Sequence, residues 1–304
     1  MNKKFEIFLD SGAFSAYSQG ITLDIDQYIE FIKKYKDKLE VYCSLDVIGD
    51  PEASMRNQKY MEDAGLNPLP VFHYGEPLEI FKNLVQKYDY VGVGGMVGSN
   101  GTARVTSSIL ALWLDDLFSN YICDKDGISK VKVHGFGVTS VDLLIRYPWY
   151  SVDSTTWAIS AGMGLILVPI YKNNRWNYNK GPWTVGVSNR NTLLSSGAQV
   201  FRFMSPLKQK LVIRYIEDEM GYKMGKSRFE FRPADCELNE NELPVGKVDR
   251  EKNQRCVEVI EEMGVSNNYM MRKDINSTYL LQLEKYMPEW PWPFKVKRSR
   301  GWGL

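Results

Sequence analysis

Short runs of strand-forming residues that each stop at a polar residue or a glycine pair constrain this chain more than any other feature. FEIFLD ends at Asp10, LEVYCSLD at Asp46, LPVFH at His73, YVGVGG at Gly94-Gly95, KVKVH at His134 and YSVD at Asp153. Val, Ile, Leu, Phe and Tyr dominate these runs, and helix-like stretches separate most of them. Their ends fall roughly 20–40 residues apart, the scale of a βα unit. A βα barrel collects its chemistry at the C-terminal ends of successive parallel strands. The pattern therefore predicts an α/β enzyme built as a (β/α)8 TIM-like barrel.

The connecting segments agree with that alternation. Asp10 leads into a Gly/Ser loop. Within residues 24–38, Ile25, Tyr28, Ile29 and Ile32 recur at helical spacing, with Asp24 and Gln27 set for a capping box. Asp50-Pro51 supplies a cap followed by a first-turn proline. PLEIFKNLVQKY, a long stretch from about Val105 to Tyr121, and SVDLLIRY behind Thr139 or Ser140 read as further helices.

Beyond Asp153 the regularity falls away. GLILVPIY and GPWTVGVS read either as the last strands or as an inserted hairpin. PLKQKLVIRYIEDEMG, DREKNQRCVEVIEEMG and DINSTYLLQLEKYM read as helices, and RFEFRPADCELNENELPVGK as a loop or short extension. No repeat or low-complexity segment divides the chain. A single domain over 1–304 is expected, with regular βα units in 1–155 and a divergent barrel end, helices and tail in 156–304. The terminal WPWPFKVKRSRGWGL interleaves aromatics with Lys295, Lys297, Arg298 and Arg300. Such a tail suits phosphate contact with base stacking; alternatively it is a solvated basic end whose tryptophans cap the barrel.

A net charge of +1 excludes a polycation, so any nucleic-acid contact must come from a local basic patch. The four cysteines are scattered with no CxxC pair, which fits reduced thiols better than a disulfide framework or metal knuckle. MNKKFEIFLD enters a strand without an apolar leader, and no apolar run approaches the roughly 20 residues that span a bilayer. A soluble, cytoplasmic protein without membrane contact is expected. Oligomeric state is not legible.

The strand ends also carry a family likeness. DSGAF (Asp10 to Phe14) resembles the DSGGF signature of the tRNA-guanine transglycosylase (queuine tRNA-ribosyltransferase) superfamily, enzymes that exchange guanine for 7-deazaguanines. In chain order, SLD ending at Asp46 is similar to that family's FDE, VFHYGE lies where it has IVQGG, and VGVGGMVG resembles IGGLAVGE. VHGFGVTSVDLL resembles LMGVGxPEDL, and YSVDSTTW falls where the family carries MFDCVxPTR. The likeness covers about the first half of the chain. It departs in three places: the family's late zinc site of three cysteines and a histidine has no counterpart, STTW replaces the segment whose arginine helps hold tRNA, and His73 replaces a glutamine. These departures resemble the DpdA-like branch, found in phages and bacterial islands, which modifies DNA. No metal or cofactor is then expected, the partners are DNA and a 7-deazaguanine base, and a phage-encoded copy would work in the host cytoplasm.

The resemblance implies roles that chemistry makes sensible. Purine exchange at C1′ passes through an oxocarbenium-like state, which a carboxylate beneath the sugar stabilises and captures covalently. By resemblance Asp153 is that nucleophile. Asp10 is the acid that helps guanine leave and then deprotonates the incoming base. Two displacements at one carbon retain configuration. Asp46 is placed to accept from the N1–H and exocyclic amine of guanine. Backbone at Gly94, Gly95 and Met96 approaches the base, His73 meets O6 or the 7-substituent, and Phe14, Tyr74 or Met96 sandwiches the heterocycle beside Ser11.

Each assignment has a plainer competitor. A strand-end aspartate often only caps a loop, a lone histidine is often structural, and a glycine pair is usually a turn. GVGGMVG lacks dinucleotide-fingerprint spacing. Other functions also stand beside DNA transglycosylation: tRNA or nucleoside base exchange or hydrolysis on the same fold, and a non-catalytic nucleic-acid binder.

Overall fold

The computed structural model describes residues 7–96, 107–138, 140–190 and 199–296. Its contacts divide the chain into two units, Met1–Ser154 with Pro288–Leu304, and Thr155–Met287.

In the first unit strands and helices alternate. They are β1 (Ile7–Leu9), α1 (Ala13–Gln19), α2 (Ile25–Tyr35), β2 (Leu39–Tyr42), α3 (Pro51–Asp63), β3 (Val71–His73), α4 (Leu78–Lys87), β4 (Tyr90–Gly94), α5 (Ser107–Leu117), β5 (Lys132–Gly135), α6 (Val141–Arg146) and β6 (Ser151–Val152). β1 pairs with β2, and β3, β4, β5 and β6 pair in that order, all parallel. A parallel bridge joins the two sets just past β2: Leu69 N–H donates to Tyr42 O at 2.8 Å, and Ser44 N–H to Leu69 O at 2.9 Å. Six parallel strands thus run in chain order, an α/β arrangement of βαβ units. Among the described residues no strand pairing closes them into a barrel.

The array is strongly curled. Three strands separate β1 from β5, yet the Phe8 ring stacks on His134 at 4.2 Å between centroids. Phe8, Val41, Cys43, Leu69, Val71, Tyr90 and Phe136 pack together on the inner face. On the outer face Phe72, Val91, Val93 and Val133 are fully buried with Phe81 and Leu84 of α4 and Leu114 and Leu117 of α5. This two-sided burial is why the strands read as near-continuous apolar runs.

Caps behave as their residues dictate. Asp24 accepts from the N–H groups of Asp26 and Gln27 and starts α2. The Gln27 amide, however, reaches the Asp24 carboxylate at 3.3 Å, so the reciprocal half of a capping box is not formed. Asp50 accepts from Ala53 N–H, with Pro51 in the first turn of α3. The expected Gly/Ser loop after Asp10 is shorter than its composition suggests, because Ala13–Gln19 is helical. The long helix expected from about Val105 is described from Ser107 and ends in a π-helical turn, Phe118–Ile122.

The second unit contains α7 (Thr156–Gly162), β7 (Leu165–Val168), a β8–β9 hairpin (Ile170–Lys172, Arg175–Asn177), β10 (Trp183–Gly186), β11 (Gln199–Val200), α8 (Pro206–Arg214), β12 (Lys226–Pro233), β13 (Glu242–Asp249), β14 (Gln254–Glu262) and α9 (Tyr269–Tyr286). β7 and β10 are antiparallel, so these segments form a local sheet rather than a further βα pair. Asn276 of α9, fully buried, bonds Leu167 N–H and the carbonyls of Leu165 and Trp157, which pins α9 to β7.

One expectation fails here and another is settled. QRCVEVIEE is not a helix, and RFEFRPADCELNENELPVGK, read as a loop or short extension, supplies most of β12 and β13 around a turn: β14 is the centre of a three-stranded antiparallel sheet, ordered β12-β14-β13. Spaced charges imitate a helical pattern in that segment. The β-branched Val257, Val259 and Ile260 prefer a strand, and Val257 and Val259 are buried there. Glu258 is buried as well and forms an ion pair with Arg190. Among the described residues no helix is long and apolar enough to cross a membrane.

Candidate active site

The C-terminal ends of the parallel strands carry two histidine–carboxylate groups, and both histidines of the chain take part.

The first group joins the ends of β2 and β3. α3 fixes the backbone around Asp46: Asn57 donates to Leu45 O at 2.8 Å, and Val47 N–H donates to Ser54 Oγ at 2.9 Å. Asp46 Oδ2 lies 3.6 Å from His73 Nε2. After His73 the chain turns through Gly75, and Glu76 folds back. Its carboxylate accepts from His73 N–H at 3.0 Å and meets Nδ1 at 3.2 Å. Burial pushes the Asp46 carboxyl up to about 7; His73 opposes that shift, while Glu76 and Asp10 add to it. A carboxylate so short of donors is a strong acceptor for a ligand that brings N–H groups.

The second group joins β4, β5 and β6. Tyr90 Oη and Ser151 Oγ are 2.6 Å apart, and Ser151 Oγ is 2.7 Å from His134 Nδ1. His134 Nε2 faces Asp153 Oδ1 at 3.5 Å, and Gly137 N–H donates to that same oxygen at 2.9 Å. His134 is buried, held between Phe8 and the edge of Phe136, whereas the Asp153 side chain is about half exposed (52 %). Partial burial works to raise the Asp153 pKa, but His134 and the Gly137 N–H outweigh it and hold the carboxyl below its ordinary value.

Cys43 connects the groups. Burial pushes its thiol well up, and the charges of Asp10, Asp46 and Asp153 push it further, against the Ser11 N–H. Asp10, Asp46 and Asp153, just past β1, β2 and β6, thus all act electrostatically on this one thiol, and Asp10 is exposed.

Glycines make the rings fit. A Cβ on Gly92 would lie 2.6 Å from the Phe136 ring. Gly95 has φ +70°, and a Cβ there would lie 2.9 Å from Tyr74 N. Gly94 O accepts from Tyr74 N–H, and the His73 ring lies over the Gly94 Cα. The pair at 94–95 thus serves the close passage of the His73–Tyr74 segment.

The other expected residues are more dispersed in role. Met96 is buried in the outer-face core, so its side chain is not free to sandwich a base. Ser11 is buried and its Oγ accepts from Ala13 N–H, a local turn contact. Phe14 is exposed (41 %) on α1 and available for stacking. Lys295 is not brought to this rim. Its neighbour Phe294 packs on Phe118 and Tyr147 and bonds Gly127 O, while Trp290 bonds Pro148 O. Those partners precede β5 and β6, at the opposite strand ends from Asp153. Lys297, Arg298 and Arg300 lie outside the described residues.

Sequence reasoning missed Glu76, Ser151 and Tyr90 and left His134 unassigned. A signal existed for Glu76: an acid three residues past a strand-end histidine, across a glycine. Comparison of the chain with protein families, curated proteins and solved structures finds no match.

Proposed function

We propose that this protein is a base-exchanging transglycosylase that replaces guanine in DNA with a 7-deazaguanine, and that its curled six-strand array is part of a (β/α)8 barrel. The observation carrying the reading is the pair of histidine–carboxylate contacts at the strand ends, Asp46 with His73 at 3.6 Å and Asp153 with His134 at 3.5 Å, whose surroundings push the two carboxyls in opposite directions. The stacking of Phe8 on His134 supports the barrel.

Asp153, held ionised, attacks C1′ as the C1′–N9 bond breaks, giving an aspartyl-deoxyribosyl ester. Asp10 supplies the proton that leaves with guanine. It then takes the N9 proton of the incoming base, which attacks C1′ and releases Asp153. Asp46 accepts the N1–H and amine of the base, and His73 meets O6. Reaching C1′ in a duplex requires extrusion of the nucleotide.

Exchange of radiolabelled guanine into duplex DNA, single-stranded DNA and bulk tRNA tests the reading. Label should enter DNA. Label in tRNA alone would transfer the activity to RNA, and label in none of them would refute transglycosylation.

A further inference from the structure

We infer that Tyr90, Ser151 and His134 form a one-way hydrogen-bond relay that sets His134 in its Nε2–H tautomer and thereby aims the Asp153 carboxylate. The distances alone leave the direction of the chain open, because hydroxyls donate or accept equally well and a ring nitrogen depends on its tautomer. The ends of the chain decide it.

At one end stands Asp153, whose Oδ1 accepts from Gly137 N–H. An ionised carboxylate is acceptor only, so the atom facing it must be a donor. At the other end stands Tyr90, whose half-buried phenol is pushed up to about 12 by desolvation and remains an O–H throughout the working range. Ser151 Oγ is the acceptor Tyr90 has among the described residues. Donation therefore runs Tyr90 O–H to Ser151, Ser151 O–H to His134 Nδ1, and His134 Nε2–H toward Asp153. The reverse order would leave the Tyr90 hydrogen with no acceptor among the described residues. It would also turn the lone pair of the buried Nε2, set between Phe8 and Phe136, against the Asp153 Oδ1, an unfavourable pairing of two acceptors.

The 3.5 Å between Nε2 and Oδ1 is loose, and Nε2 has no closer hydrogen-bond partner among the described residues. That contact is free to shorten as charge develops at the sugar. His134, Ser151 and Tyr90 are positioning residues, acting on the substrate only through Asp153. Their effect on turnover rests on the transglycosylase reading; the tautomer does not.

The chain has two histidines, so ring-¹⁵N histidine labelling gives two resolvable spin systems, and His73→Gln assigns them. His134 should show the Nε2–H tautomer near neutral pH in the wild type. In Ser151→Ala it should shift toward Nδ1–H or a mixture, with a smaller shift in Tyr90→Phe. An Nδ1–H or doubly protonated ring in the wild type, or no change in either variant, overturns the relay.

Asp153 is faced by His134 from β5 and by the Gly137 N–H beyond it, while the Cys43 thiol near β2, pushed well up, carries no charge toward it. Losing the oriented donor should raise its pKa. The acid limb of adduct formation in Ser151→Ala should then move to higher pH, with KM little changed and the rate falling about tenfold or more, by analogy with the hydrogen-bond partners that orient metal-bound histidines. Unchanged rate and acid limb would count against the relay. The expected tautomers in a protein that exchanges no base would sustain the relay and reject the proposed function.

Discussion

Asp46 carries the clearest pH signature of any residue at the rim. Its folded-state pKa, about 7, stands above the ordinary 3.8, so the folded protein holds this proton more tightly than the unfolded chain. The stabilisation is fully present below the unfolded value and is lost as pH rises through about 7. Relative to wild type, Asp46→Asn should therefore gain stability between about pH 4 and 7, by at most about 1.4 kcal/mol per pH unit. Urea titrations of both proteins at several pH values would show it, and parallel curves would contradict the assignment. Guanine binding should follow the opposite trend, tightening as Asp46 ionises. Much of this was legible: Asp46, His73 and Asp153 each end a strand-like run. Glu76 and Ser151 were not, because each works through a contact that only the fold creates. Glu76 reaches His73 through a turn at Gly75, and Ser151 reaches His134 across paired strands.

Among elements, β4 has the most exacting role. Two of its inward positions are glycines because neighbouring side chains occupy their space: Phe136 over Gly92 and His73 over Gly94. Gly92→Ala should push the Phe136 ring against its neighbours Phe8 and His134 and destabilise the protein by about 1–3 kcal/mol, the usual cost of overpacking. A chemical-denaturation midpoint equal to wild type would show the slot to be roomier than the structure implies. The parallel strands were readable because burial on both faces leaves continuous apolar runs. β14 was not, since charges punctuate its β-branched residues, and its buried Glu258 gains its ion pair from distant Arg190. Local pattern cannot report a partner 68 residues away.

For the molecule as a whole, the first unit gathers the strand-end carboxylates, and the segment around Trp290 and Phe294 returns to that unit at the opposite strand ends. Under the proposed function, that separation assigns base recognition to the rim rather than to Lys295. The central claim is that Asp153 captures C1′ of a deoxyribose while the base is exchanged. Its most direct test is to quench the protein with guanine-containing DNA and localise any covalent adduct by peptide mass spectrometry. A deoxyribosyl ester on the peptide containing Asp153 is predicted, with none in Asp153→Asn and exchange there reduced on the order of 10⁴-fold or more while DNA binding persists. An adduct on Asp10, or wild-type exchange by Asp153→Asn, would contradict the account.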